Sequence, residues 1–355
     1  MNFKKEFSLT GIISIAIAVA AFINNIIVTR QIGVESRGKY AIILNLVMLL
    51  SLFLGEGLRK SNTILVADKQ NKLKDFLSLN FVALLTIFII FIVVLNLPKI
   101  RTRFFPNITS LQFLFGLIIT ILTIGWQGIQ ALFLGERKIK YYNNIQAIPV
   151  FVTLLINIIG IYLFGFVLNE ILLVVLISSF LSFSYGLYVY RGQIKGIVQI
   201  NIQLLKQSFM LSTRSTFVAI FFFILIRGDI FLINYFLGSV AAGLYSIAVL
   251  FVDVAQRVPN FLGPLFISRT LNDDYTSSVI NAVKLTRVLF AFNLILALVL
   301  LISAHLIIKF LFGEDFYGSI TSLLYLLPAI VFFWFRKYYS FFLYWTIISN
   351  FHYNK

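Results

Sequence analysis

Short polar intervals divide this chain into ten apolar runs, each long enough to cross a lipid bilayer. A membrane helix needs about 20 consecutive apolar residues. The runs extend from Leu9 to Thr29, Tyr40 to Leu58, Phe76 to Leu97, Leu111 to Leu134 and Ile145 to Val167. They continue from Glu170 to Tyr190, Ser215 to Leu237, Gly243 to Ile267, Leu285 to Phe310 and Ser322 to Ile348. Composition agrees: 60% of residues are hydrophobic and 12% charged, against roughly 45–50% and 25% in soluble domains. This excludes a soluble globular enzyme and predicts an all-α fold, a polytopic membrane helix bundle. The first run follows Lys4 and Lys5 but is too long for a signal peptide, so it is expected to stay as the first helix.

No connection between runs exceeds about 25 residues, so function is expected inside the bundle or at short loops. The chain has no cysteine and two histidines, His305 and His352, which removes thiolate chemistry, cysteine-based zinc motifs and multi-histidine centres. No cofactor is expected. The formal net charge of +16 would point to nucleic acid in a soluble protein. In a multi-pass chain the excess cations set topology and touch anionic lipid heads instead, so no nucleic-acid partner is expected. With the amino terminus inside, 18 of the 29 cations fall on the cytoplasmic side and seven outside, among them Arg30, Arg37, Lys99, Arg101 and Arg103. Both termini are therefore expected in the cytoplasm.

A repeat runs through the sequence. Gly33, Gly38 and Tyr40 map onto Gly238, Gly243 and Tyr245 at a single offset of 205 residues. The same offset sets Asn24 opposite Asp229. Glycine at both ends of a short connection suits a tight turn between closely packed helices, and the tyrosine after it is expected at the membrane interface. The second copy starts after six helices, an even number, so both copies share one orientation. This predicts two lobes about a pseudo-two-fold along the membrane normal: six helices in residues 1–200 and four in residues 201–355. Gly33 to Lys39 also imitates a phosphate-binding loop, G-x-x-x-x-G-K. Tyr40 replaces the magnesium-binding Ser/Thr and a membrane run precedes it instead of a strand, so the imitation fails.

Three stretches carry a resemblance. Asp229 with Gly238, Gly243, Tyr245 and Ala248 is similar to the seventh-helix signature of Wzx-type polysaccharide flippases, the polysaccharide transporter branch of the multidrug/oligosaccharidyl-lipid/polysaccharide exporter superfamily. Arg30-Gln-Ile-Gly33 through Tyr40-Ala41 resembles the first-helix exit of that family, and Gly135-Glu-Arg137 through Tyr142-Asn143 its cytoplasmic step after helix four. The resemblance implies the exporter-superfamily fold of twelve to fourteen helices. It also implies transfer of an undecaprenyl-pyrophosphate-linked oligosaccharide between leaflets of the bacterial cytoplasmic (inner) membrane for O-antigen, lipopolysaccharide, capsule or exopolysaccharide. Such a protein is no enzyme; its partners are the lipid-linked oligosaccharide, anionic membrane lipids, and the polymerase and chain-length proteins of the pathway. Position 355 corresponds to Val150 of the first copy, where the fifth run begins, so this copy is expected to be shortened at its C-terminus, without helices eleven and twelve.

Ionisable groups inside apolar runs are costly and mark candidate sites. Arg227 and Asp229 lie in the seventh run, with Arg214 near its start. Asp253 and Arg257, four residues apart in the eighth, share a helix face and can pair. Arg227 has no acid three or four residues away. The substrate-binding set is therefore Arg227, Arg257, Arg214, Arg59, Arg30 and Asn24, with Asp229 and Asp253 as candidates for ion coupling. Guanidinium suits a pyrophosphate because its planar fork donates two parallel hydrogen bonds and stays charged. Asn25, Gln127 and Gln130 bridge helices or meet sugar hydroxyls. His305 reads as an ordinary packed side chain, and Pro259 and Pro264 as bends. No metal-ligand set is found.

Two alternatives stand beside the flippase. A membrane polymerase or glycosyltransferase needs catalytic residues in a large outer loop, whereas the outer loops hold only Glu35, Glu170, Glu314 and Asp315. A cation or drug antiporter of the multidrug branch favours acids within the helices of the first lobe, where none lies well inside a run. The topology is checked by cysteine labelling, which the cysteine-free chain makes unambiguous. Asn107→Cys is expected to react with an impermeant maleimide from outside only, and labelling solely from the cytoplasm overturns the orientation.

Overall fold

The computed structural model describes residues 3–67, 73–95, 98–193, 201–270 and 275–332. All the regular structure among them is helical. In chain order the helices are α1 (Phe3–Ala67), α2 (Leu73–Leu95), α3 (Pro98–Phe104), α4 (Ser110–Gly135), α5 (Ile139–Phe164) and α6 (Leu168–Val189). They continue as α7 (Ile202–Thr270), α8 (Tyr275–Phe312) and α9 (Ser319–Phe332). Helix is the answer lipid demands, because every backbone N–H and C=O must be satisfied within its own segment. All ten expected runs fall on helix, the last described through Phe332. Among the described residues seven helices are long and apolar enough to span, and two of these, α1 and α7, hold two runs each.

Each long helix is broken at one residue. Gly33 has φ 72° and ψ 177° and Gly238 has φ 84° and ψ 179°. That region is essentially closed to residues with a Cβ. The two glycines of the repeat thus carry the same elbow. One turn later the second pair sets the packing. A Cβ on Gly38 would overlap the Ser239 carbonyl and lie 3.0 Å from the Gly243 nitrogen. A Cβ on Gly243 would overlap the Val34 carbonyl and lie 3.1 Å from the Gly38 nitrogen. Val34 and Ser239 are themselves equivalent at the 205-residue offset. The contact is reciprocal, backbone against backbone.

Two compact units divide the chain, Met1–Gly243 and Leu244–Lys355. In the first, α1 packs on α4 and α5, and α6 packs on α4 and α5. Thr109 caps α4 reciprocally with Gln112, each accepting the other's backbone N–H at 3.2 Å. The Gln112 amide then donates to Asn169 at 3.0 Å, tying the starts of α4 and α6. Gly165, left-handed at φ 65°, ends α5, and the Phe166 N–H returns to the Gly160 carbonyl. In the second unit Phe251 meets Phe312 edge-on at 6.1 Å, and His305 stacks on Tyr317 at 4.5 Å. His305 is otherwise exposed.

Substitution separates these glycine roles. Gly38→Ala forces two backbones apart, an overpacking cost of about 1–3 kcal/mol. Gly33→Ala meets no neighbour within 4 Å but must hold a forbidden backbone, at about 1–3 kcal/mol. Gly228 has only Ile224 at 3.4 Å, so Gly228→Ala gains about 0.5–1 kcal/mol from helix propensity. Thermal unfolding in detergent is expected to show lowered midpoints for Gly38→Ala and Gly33→Ala and an unchanged or raised one for Gly228→Ala. An unshifted Gly38→Ala protein contradicts the close contact.

Candidate functional site

Helices α1, α5 and α6 line an open cavity of about 170 Å³ in the first unit, with amides and hydroxyls among its walls. Its walls come from Ala21, Asn24 and Asn25 of α1, Pro149, Val150 and Thr153 of α5, and Val175, Ser178 and Ser179 of α6. Amides and hydroxyls within apolar helices must find partners, since lipid offers none. The Asn157 amide donates to the Asn24 carbonyl at 2.8 Å, and Thr153 donates to Ser178 at 2.8 Å, which donates on to the Val175 carbonyl at 2.9 Å. The Asn157 carbonyl is fully buried without a hydrogen-bond partner. Such an orphan is an acceptor ready for a hydroxyl or amide.

The polar seam continues toward the starts of α1 and α5. Gln130 donates to Gln146 at 3.2 Å, Gln146 to Asn143 at 3.4 Å, and Asn143 to Thr10 at 3.0 Å. At the elbow end it meets a charge. Arg37 is 5% exposed, donates to the Asn25 carbonyl at 3.0 Å and lies 5.6 Å above the Tyr40 ring. Tyr40 is itself buried, not placed at the interface as its position after the elbow suggested. The reason is that its ring forms the floor beneath the guanidinium. Among the described residues Arg37 and Glu56 are the only buried charged side chains. Glu56 pairs with Arg59 at 2.5 Å and Lys60 at 3.8 Å, so its charge is matched within one turn. No carboxylate lines the cavity.

The expected site residues divide. Asn24 is buried in the cavity wall. Arg30 is exposed, and Arg59 is half-buried against Glu56. Arg227, Asp229 and Asp253 are half-buried, and each is engaged by a neighbour, so Arg227 is not a bare cation. One Asp229 oxygen accepts the Ile230 N–H at 2.8 Å. Arg214 and Arg257 lie on α7, and their side chains fall outside the described residues, as does the Asp253–Arg257 pairing. Sequence reasoning missed Arg37, Glu56, Asn157, Thr153 and Ser178. The available signal was spacing: Thr153 with Asn157 and Ser178 with Ser182 are four apart, each pair on one helix face.

The stretch after α4 is structural. A Cβ on Gly135 would lie 2.9 Å from Val66 Cβ, so α1 and α4 meet there. Arg137, at φ 59°, takes the left-handed turn, and Glu136 accepts a hydrogen bond from the Tyr190 phenol and pairs with Lys138 at 3.1 Å. Burial, and then the Glu136 carboxylate, push the Tyr190 phenol well above its ordinary value. This contact therefore supports the fold fully below a pH of about 10 and is lost as pH rises further.

Comparison with known proteins follows the same lines. The family model described as "Polysaccharide biosynthesis protein" matches residues 3–266. No curated protein sequence matches the chain. Among solved structures, the inward-facing conformation of a multidrug resistance MATE family transporter of the MOP superfamily superposes with a TM-score of 0.65 at 12% identity, covering 93% of this chain and 83% of that one. An outward-facing conformation of such a transporter gives 0.55 at 14% identity, with 94% and 79% covered. A MOP superfamily transporter from Pyrococcus furiosus, whose binding pocket is described as of reverse polarity, gives 0.55 at 14% identity, with 94% and 80% covered. At these identities the likeness is one of fold, and the chain has that exporter fold.

The Asn24–Asn157 bond gives a stability test. Interhelical polar contacts in membranes contribute about 0.6 kcal/mol and at most about 1.7. Asn157→Leu leaves the Asn24 carbonyl without its donor and is expected to lower the unfolding midpoint. The double variant Asn24→Leu/Asn157→Leu removes both polar groups and is expected to recover most of the loss. A double variant no more stable than the single one contradicts the pairing.

Proposed function

The chain belongs to the polysaccharide biosynthesis protein family, and from that membership we propose that it is a flippase moving a lipid-linked oligosaccharide across the bacterial cytoplasmic membrane. The carried unit is an undecaprenyl-pyrophosphate-linked repeat for O-antigen, capsule or a related surface polymer. Residues 1–200 and 201–355 form its two lobes, and both termini face the cytoplasm. The neighbours we assign it are anionic lipids and the polymerase and chain-length proteins of the pathway.

The observation that carries this reading is the polarity of the seam in the first unit. Its donors and acceptors are amides and hydroxyls, its charge is the Arg37 guanidinium, and no acid lines its cavity. Neutral hydrogen-bonding groups suit sugar hydroxyls, and a buried guanidinium suits a phosphate anion. A carrier of organic cations needs the opposite field. Glu56, the buried acid of this unit, is already neutralised by Arg59 and Lys60. The cavity of about 170 Å³ is too small to enclose an oligosaccharide, so the seam contacts part of the head group. Arg227, Arg214, Arg257, Arg59 and Arg30 are the further candidate substrate contacts, and Asp229 and Asp253 are the candidate coupling groups.

Complementation tests the assignment. The chain, expressed in a strain lacking its own flippase, is expected to restore surface polysaccharide, and failure with correct membrane insertion removes the reading. Arg37→Gln is expected to cut export by roughly ten-fold or more, the weight of one charge-assisted hydrogen bond. Arg227→Ala is expected to reduce export more than Arg59→Ala, because Arg59 is half-exposed and already bonded to Glu56. Normal export by well-inserted Arg37→Gln and Arg227→Ala proteins excludes both from the substrate path.

A further inference from the structure

A second cavity lies apart from the polar seam. Leu49 of α1, Phe104 and Phe105 beside α3, and Phe231, Leu232, Tyr235 and Phe236 of α7 line a slot of about 430 Å³. Five of these seven residues are aromatic, and the lining is almost wholly apolar. Phe105 meets Phe231 edge-on at 6.4 Å and Phe113 at 6.1 Å, and Phe231 meets Phe223 at 6.3 Å, so the rings brace one another. Its α7 wall lies just before the Gly238 elbow in sequence. Its volume falls within the range of small-ligand sites.

Charge marks one end. The helix α3 reads Pro98-Lys-Ile-Arg101-Thr-Arg103-Phe104, with three cations and no acid in seven residues. Arg101, three residues before Phe104, is half-buried and donates to the Ile108 carbonyl at 2.6 Å, which holds its fork while leaving other N–H groups available. Arg103 is exposed, one residue from the slot wall at Phe104, and makes no ion pair with any described residue. An apolar groove with adjacent arginines at a helix end matches one kind of molecule, a long hydrocarbon carrying a phosphate. Phosphate takes the planar fork and hydrocarbon takes the aromatic slot.

We propose that this slot seats the isoprenoid chain of a prenyl phosphate lipid, with its phosphate on Arg103 and Arg101. The choice of prenyl over acyl chain rests on the flippase reading, in which the carried lipid is a prenyl phosphate. The slot is then a second contact for the same substrate, holding its tail while the seam holds its head group.

The test uses the full chain, which has no native cysteine. Leu232→Cys protein in phosphatidylcholine nanodiscs is labelled with a membrane-permeant maleimide. Undecaprenyl phosphate is expected to slow labelling, and Arg103→Gln to weaken that protection roughly ten-fold. Protection equal with phosphatidylglycerol overturns the proposal in favour of a general anionic-lipid site. Absence of protection, or protection indifferent to Arg103→Gln, overturns it outright. Native mass spectrometry of lipid adducts on the parent and on Arg103→Gln gives the same comparison should the cysteine variant fail to insert. Export in the flippase-null strain is scored separately. Protection without export keeps the slot and removes the flippase assignment, while export without protection removes the slot alone.

Discussion

Two backbones touch where Gly38 meets Ser239 and Gly243 meets Val34, and the arrangement of the first unit depends on that contact. In lipid the hydrophobic effect gives helices no reason to associate, because a neighbouring helix is no more apolar than an acyl tail. Close approach supplies dispersion and weak C–H···O contacts instead, and only glycine permits it. The elbows at Gly33 and Gly238 aim the second pair at one another, since each places a glycine one turn beyond a break. A repeat of 205 residues thus survives as two glycines per copy, while the side chains around them diverge.

Once the elbow is fixed, the polar seam follows. Asn25 precedes Gly33 and Arg37 follows it, and the turn brings the two within hydrogen-bond distance. A buried guanidinium is costly unless its donors are used and its charge is met. The Asn25 carbonyl and the Tyr40 face both meet it here. Glu56 shows the opposite arrangement, with Arg59 and Lys60 cancelling it within one turn.

The helices were legible in the sequence because run length and apolarity are properties of the chain itself, and lipid allows few other solutions. The elbows were legible because glycine spacing recurred. Arg37 was not. A cation at the end of a run satisfies the positive-inside count equally well whether it points to water or into the protein, and Arg37 had been placed among the outer cations. Glu56 was hidden similarly, since it falls at the very end of the second run, beside Arg59 and Lys60 of the connection that follows. Asn24 was found as an amide within an apolar run, but its partner Asn157 lies 133 residues away. No local pattern encodes that distance, which only the packing of α5 against α1 resolves.

Asn25 sets how the Arg37 guanidinium is held. Its side-chain carbonyl accepts one guanidinium N–H at 3.0 Å, and the Tyr40 ring lies 5.6 Å from the cation. Both are neutral partners, which orient a guanidinium without removing its charge. A carboxylate in the position of Asn25 would orient the fork equally well but add an opposing charge beside it. On the flippase reading that difference bears on the head group, because charge-assisted bonds to a phosphate draw on the charge of the cation.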